Sequence, residues 1–219
     1  MYFTYGKKET DYLKSRCPRL AHVIERVGPV RREVDGDLFS AVVHHIVGQQ
    51  ISTKAQATVW RRVQEGLGKV NAAQVCLAGV EKLQSLGMSR RKAEYILDFA
   101  RKVHGGELDL SAVAKMDDAQ AIASLSALRG IGVWTAEMLL LFCLQRPDVF
   151  SYDDLAIQRG LRMVYRHRKI TRALFEKYRR RFSPYGSVAS LYLWAVSGGA
   201  LAELTDPVCK GGTLSKKHQ

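Results

Sequence analysis

Cysteine is scarce in this chain and never closely paired: Cys17, Cys76, Cys143 and Cys209 stand singly. Zinc and iron–sulfur sites usually draw on closely spaced ligands, so neither is expected, and the four residues read as free thiols in a reducing compartment. Long apolar runs are missing too. No stretch approaches the ~20 residues of a membrane-spanning helix, and the N-terminal MYFTYGKKETDYLK lacks the apolar centre of a signal peptide. No membrane partner is expected, and a cytoplasmic location is. Internal repeats, low-complexity linkers and strand-like alternation are also absent. Acids are outnumbered, 21 Asp and Glu against 34 Lys and Arg, leaving a formal charge of +13. That excess goes beyond what solubility needs and makes nucleic acid the first partner to consider.

The 219 residues are 47% apolar, enough for one large domain or for two small lobes sharing a cleft. Apolar residues recur at intervals of three and four, as in Phe39, Val42, Val43, Ile46 and Val47, which predicts an all-α fold. Glycines such as Gly28, Gly87, Gly130, Gly132 and Gly186 divide the pattern into about nine or ten short helices. Asp37, Ser52, Ser89, Asp117 and Thr171 are placed to cap helices, because their side-chain oxygens accept the free amides of a first turn. Asp117 with Gln120 has the spacing of a capping box. The last ten residues, KGGTLSKKHQ, read as a frayed tail.

The most informative stretch runs from Leu125 to Phe142, where Gly130 and Gly132 flank Ile131 between two helical runs. Glycines allow a tight turn and a close approach to another surface, while Ile131 tucks inward and pins the helices. Such a hairpin presents bare amides at a helix start, a natural seat for a DNA phosphate. Leu128-Arg-Gly-Ile-Gly-Val-Trp-Thr-Ala136 resembles the hairpin of the helix-hairpin-helix DNA glycosylase superfamily. The resemblance implies that Gly130, Gly132, Val133 and Thr135 grip the DNA backbone, and that carbonyls near Leu128 and Ile131 hold a monovalent cation. Bifunctional members carry a lysine nucleophile where this chain has Trp134. Without that amine no Schiff base forms, so strand cleavage is not expected. Tryptophan there resembles the 3-methyladenine DNA glycosylase II branch, in which an aromatic lines the base pocket.

Downstream, Asp153 and Asp154 introduce a helix whose apolar side is expected to carry Leu155, Ile157, Leu161 and Val164. Taken alone, the acid pair is simply a good helix start. The superfamily resemblance places the catalytic aspartate at Asp154 and leaves Asp153 as the cap. Breaking an N-glycosidic bond builds positive charge on the sugar, which a fixed carboxylate stabilises. An alkylated base leaves without needing a general acid, in keeping with the lack of any obvious second carboxylate or His/Cys arrangement; His44 and His45 are assigned no chemistry.

An enzyme that acts inside a duplex must extrude its base and fill the gap. By resemblance Gln50 is the wedge, and Trp134, Tyr152 and Trp194 line the base pocket. Tyr192 and Trp194 are two apart, so at most one points squarely into a cleft. Of the basic clusters, Gly87-Met-Ser-Arg-Arg-Lys-Ala93 has the form of a phosphate-binding helix start, making Ser89 and Arg90 candidate backbone contacts.

The resemblance, from about Asp37 to Ala195, implies two helical lobes with the active-site cleft between them: 37–148 with wedge and hairpin, and 1–36 plus 149–219 with the aspartate. It departs from longer relatives in having no room for an N-terminal β-rich domain, and from the endonuclease III branch in lacking a C-terminal four-cysteine cluster. The implied protein is a cofactor-free, monomeric, nucleoid-associated glycosylase that removes alkylated purines from double-stranded DNA. The alternatives are a glycosylase for oxidised or deaminated purines, and a non-catalytic DNA-binding module.

Overall fold

A computed structural model of the chain describes residues 1–208; Cys209 and the expected tail lie outside the described residues. Among those residues the fold is all-helical, with no strand. In chain order the helices are α1 (Lys7–Arg16), α2 (Pro18–Val27), α3 (Leu38–Gly48), α4 (Thr53–Leu67), α5 (Ala72–Ser85), α6 (Arg90–His104), α7 (Leu110–Lys115), α8 (Asp118–Ser126), α9 (Val133–Phe142), α10 (Leu155–Tyr165), α11 (Arg172–Phe182) and α12 (Gly186–Ser197). Twelve helices among the described residues exceed the expected nine or ten because some breaks are not made by glycine. Cys17 is extended and Pro18 starts α2, which cuts the N-terminal helical run in two. Asp117 likewise starts α8 directly behind the short α7.

All five predicted caps form. Asp37, Ser52, Ser89, Asp117 and Thr171 accept the amides of Ser40, Ala55, Lys92, Gln120 and Leu174, and each such cap contributes about 1 kcal/mol. Asp117 caps without the return bond from the Gln120 side chain that a capping box needs, so that expectation is corrected.

The chain divides into two compact units. One comprises Met1 and Glu33–Arg146, hence α3 to α9. Here α5 packs on α6, α8 on α9, and α3 against α4, α6 and α9. Val42, Val43, Ile46 and Val47 are buried, and Phe39 stacks on Phe99 with ring centroids 4.8 Å apart. Removing a side chain of that size from water stabilises the fold by about 2–3 kcal/mol.

The other unit comprises Tyr2–Arg32 and Pro147 onward, with α1, α2, α10, α11 and α12. Its aromatic centre joins Phe150, Phe175 and Phe182, the first two stacked at 4.7 Å. Helix α10 lies close to α12 because Gly160 faces the Leu193 backbone carbonyl, where any Cβ would collide. Ile157, Leu161 and Val164 are buried as the periodicity predicts. Leu155 is not: at 79% exposure it belongs to the surface, because the first residue of α10 faces outward.

Candidate active site

In the second unit, the backbone between Pro147 and Asp154 is stitched to the start of α12. Ser187 Oγ accepts the Val149 amide at 2.9 Å, and Ser190 Oγ donates to the Val149 carbonyl at 3.2 Å. Asp148 accepts the Gly186 amide at 2.9 Å and the Ser183 hydroxyl at 2.6 Å. Both serines are fully buried, and buried hydroxyls are tolerated only when bonded in this way. None of Asp148, Ser187 and Ser190 was singled out from sequence. The signal was a pair of serines three residues apart in an otherwise apolar helix.

This stitching ends at Asp154, which is itself the N-cap of α10, so the capping role expected of Asp153 belongs to its neighbour; Asp153 is exposed. One oxygen, Oδ1, accepts the amides of Ala156 at 2.9 Å and Ile157 at 2.8 Å. The same atom accepts the Trp194 indole N–H at 3.0 Å. The residue is only 6% exposed. A carboxylate held by a helix N-terminus and an indole cannot rotate freely. Trp194 is thereby fixed beside the carboxylate, with Arg32 near its ring at 6.0 Å. Tyr192 turns elsewhere on α12, its hydroxyl 3.4 Å from that of Tyr5. Tyr152 is half-buried, edge-on to Phe175 at 5.2 Å and covered by the Arg172 guanidinium at 4.6 Å.

The first unit carries the hairpin. Gly130 adopts φ +84°, and a Cβ there would strike the Tyr95 ring, so glycine is required. Ile131 is buried, as the pattern predicts. Gly132 differs: its φ of −93° suits any residue, and a Cβ would meet open space. It is the N-cap of α9 without a side-chain cap bond, which leaves the outward approach to those amides clear. Val133 and Trp134 follow at 49% and 42% exposure. Thr135 is buried and lines a cavity. The Leu128 carbonyl accepts the Ile131 amide at 3.1 Å, and the Gly130 carbonyl accepts Gln49 Nε2 at 2.6 Å.

Trp134, Gln50, His45, Gln49, Gln56 and Thr135 share the walls of a cavity of about 530 Å³, a volume of the order of a small-molecule site. Gln50 is exposed at its mouth. Burial, and then the adjacent His44, push the His45 imidazole down to about 4, so it is neutral at physiological pH. Beside the hairpin, Ser89 is exposed as the cap of α6, and Arg90 is exposed and paired with Glu94 at 3.1 Å. Tyr95 gathers two further cations: the guanidiniums of Arg91 and Arg129 each lie 5.4 Å from its ring centroid. Lys92, by contrast, turns inward and donates to backbone carbonyls, so it is no part of the basic grip.

The model of the HhH-GPD superfamily of base excision DNA repair proteins matches residues 43–184. A DNA-3-methyladenine glycosidase structure from Bacillus halodurans is similar at 33% identity and TM-score 0.81, over 90% of this chain and 93% of that one. The Schizosaccharomyces pombe 3-methyladenine DNA glycosylase, solved in complex with abasic DNA, is similar at 25% identity and TM-score 0.78, over 91% of this chain and 100% of that one. DNA-3-methyladenine glycosylase 1 of S. pombe is 29% identical over 94% of this chain and 90% of its own length. Several bacterial relatives are longer, and the chain spans 59%, 57% and 58% of three of them. With the hairpin and the capped aspartate both inside the matched span, the chain belongs to the HhH-GPD superfamily of base excision DNA repair proteins.

Proposed function

We propose that this protein is a monofunctional DNA glycosylase that everts an alkylated purine of the 3-methyladenine or 7-methylguanine type and hydrolyses its N-glycosidic bond, leaving an abasic site. The observation that carries the reading is Asp154, a buried carboxylate whose Oδ1 accepts two backbone amides and the Trp194 indole. As the glycosidic bond breaks, positive charge develops on the deoxyribose, and an anion already held in place stabilises it without reorganising. The carboxylate also orients the attacking water. A ring-alkylated base is cationic and a good leaving group, so one acidic residue is enough.

Trp134 and Trp194 are assigned to the base pocket, since electron-poor alkylated purines stack well on indole faces; Tyr152 joins them as a lesser contact. Gln50 fills the vacated place in the duplex. Gly132 and Val133, with Gly130 shaping the turn, receive a phosphate at the start of α9, and Ser89 and Arg90 receive another at α6. Thr135 supports the pocket wall instead. No cofactor is assigned, and the protein acts as a monomer. The substrate carries a location with it, the DNA-containing cytoplasm. The names of the relatives, and abasic DNA as the ligand of one of them, support the same chemistry.

The test is a panel of duplexes containing 3-methyladenine, 7-methylguanine, hypoxanthine or 8-oxoguanine. Methylated purines are expected to be excised fastest, leaving intact strands with abasic sites and no borohydride-trapped adduct, because Trp134 stands where a lysine nucleophile would. Asp154→Asn keeps a capping oxygen but loses the charge. It is expected to lose excision by roughly a thousandfold while still binding an abasic-site duplex. Full activity in that variant overturns the mechanism, and faster excision of 8-oxoguanine overturns the substrate.

A further inference from the structure

The loop between α3 and α4 contains a strained residue, Gln50, at φ +56°. A side chain with a Cβ stays in the left-handed region only where its surroundings hold it. Here they do so from two directions. Lys92 reaches from α6 and donates through Nζ to the carbonyls of Val47 at 2.9 Å and Gln49 at 2.6 Å. Both acceptors lie at the end of α3, where the helix has no amide of its own to offer them. The Gln49 side chain reaches the other way, Nε2 donating to the Gly130 carbonyl of the hairpin at 2.6 Å. The amide of that same peptide, Ile131 N–H, is bonded to the Leu128 carbonyl at 3.1 Å. The Gly130–Ile131 peptide is therefore fixed on both sides, and one of its anchors is the residue directly before Gln50.

We propose that Lys92 and Gln49 form a positioning bridge that ties the phosphate-receiving hairpin to the wedge, so that seating the hairpin on the DNA backbone presents Gln50 to the base stack. The inference rests on the glycosylase reading above. Lys92 acts through Gln49 and the loop rather than by touching DNA, and partial burial holds its ammonium below the ordinary lysine value. The Gln56 side chain, which donates to the His44 carbonyl at 3.3 Å, closes the far side of the loop. An ammonium with several donors can serve two carbonyls at once, which a neutral methionine of similar length cannot.

The experiment uses a duplex with 2-aminopurine beside an uncleavable abasic-site analogue, whose fluorescence rises when the stack is opened. Wild-type protein is expected to raise it on binding. Lys92→Met should bind with nearly unchanged affinity yet lose most of the rise, and Lys92→Arg, which still donates to both carbonyls, should restore it. Gln49→Met should lose a similar share. The double variant should be no worse than the poorer single one, because the Lys92 and Gln49 contacts act in series on the same loop; independent effects would instead multiply, to roughly tenfold beyond either alone. A Lys92→Met protein with the full rise, or multiplying losses, overturns the bridge. So does a Lys92→Met protein that loses affinity and fluorescence in parallel without rescue by arginine. A wild-type protein that opens the stack, with the variants behaving as described, but excises no alkylated purine upholds the bridge and strikes the substrate reading alone.

Discussion

Trp194 joins an aromatic face to a hydrogen-bond donor, and the two can be separated. Replacing it with phenylalanine keeps an aromatic ring and removes the N–H that holds Asp154 Oδ1. A bond to a charged group of this kind is worth about 1.5–3 kcal/mol, so Trp194→Phe should lower the single-turnover rate roughly ten- to hundredfold with a smaller change in DNA affinity. An equal loss in both would make the indole a binding contact only. His45 makes a second prediction. Its folded value near 4 lies below the ~6.5 of an unfolded histidine, so between those values the unfolded chain takes up a proton that the folded chain refuses. Stability should therefore be full above pH 6.5, fall as the pH drops toward 4 and level off beyond, by on the order of 3 kcal/mol from this residue. Urea titrations across that window, compared with His45→Gln, should show the slope shrink in the variant. From sequence this histidine was an unassigned polar residue, because a lowered pKa depends on packing that no local pattern records.

Helix ends were the most legible elements. An oxygen-bearing side chain before an apolar run has only local geometry to satisfy, which is why Asp37, Ser52, Ser89, Asp117 and Thr171 read correctly. The Asp153–Asp154 pair misled as to which acid caps, since either spacing suits a first turn and tertiary bonds from Trp194 decide it. Leu155 misled because periodicity cannot tell the last buried position from the first exposed one. The hairpin's two glycines looked equivalent and are not. Gly130→Ala forces a left-handed backbone and a clash with Tyr95, so it should lower the melting temperature, with a cost of about 2 kcal/mol or more. Gly132→Ala meets nothing and keeps its φ, so it should melt as the wild type does yet weaken DNA binding by crowding the amides of α9. Unchanged affinity in the second variant removes the hairpin from the proposed interface.

Across the whole molecule, the charge of +13 implies that DNA binding responds steeply to salt. If about six phosphates are neutralised, affinity should fall roughly a thousandfold between 50 and 200 mM salt, measured by fluorescence anisotropy on an undamaged duplex. A flat response would mean that the basic residues are only a solvated surface. Composition announced this property but could not say which cations stay available, since Lys92 turns inward and Arg162 is committed to Asp206. Asp154 has a longer consequence. Because the same carboxylate both starts α10 and would serve the chemistry, a descendant that gave up catalysis would still need a small acceptor there. Gene duplicates drifting toward a purely recognitional role should therefore show asparagine, serine or threonine at this place, and rarely alanine or valine.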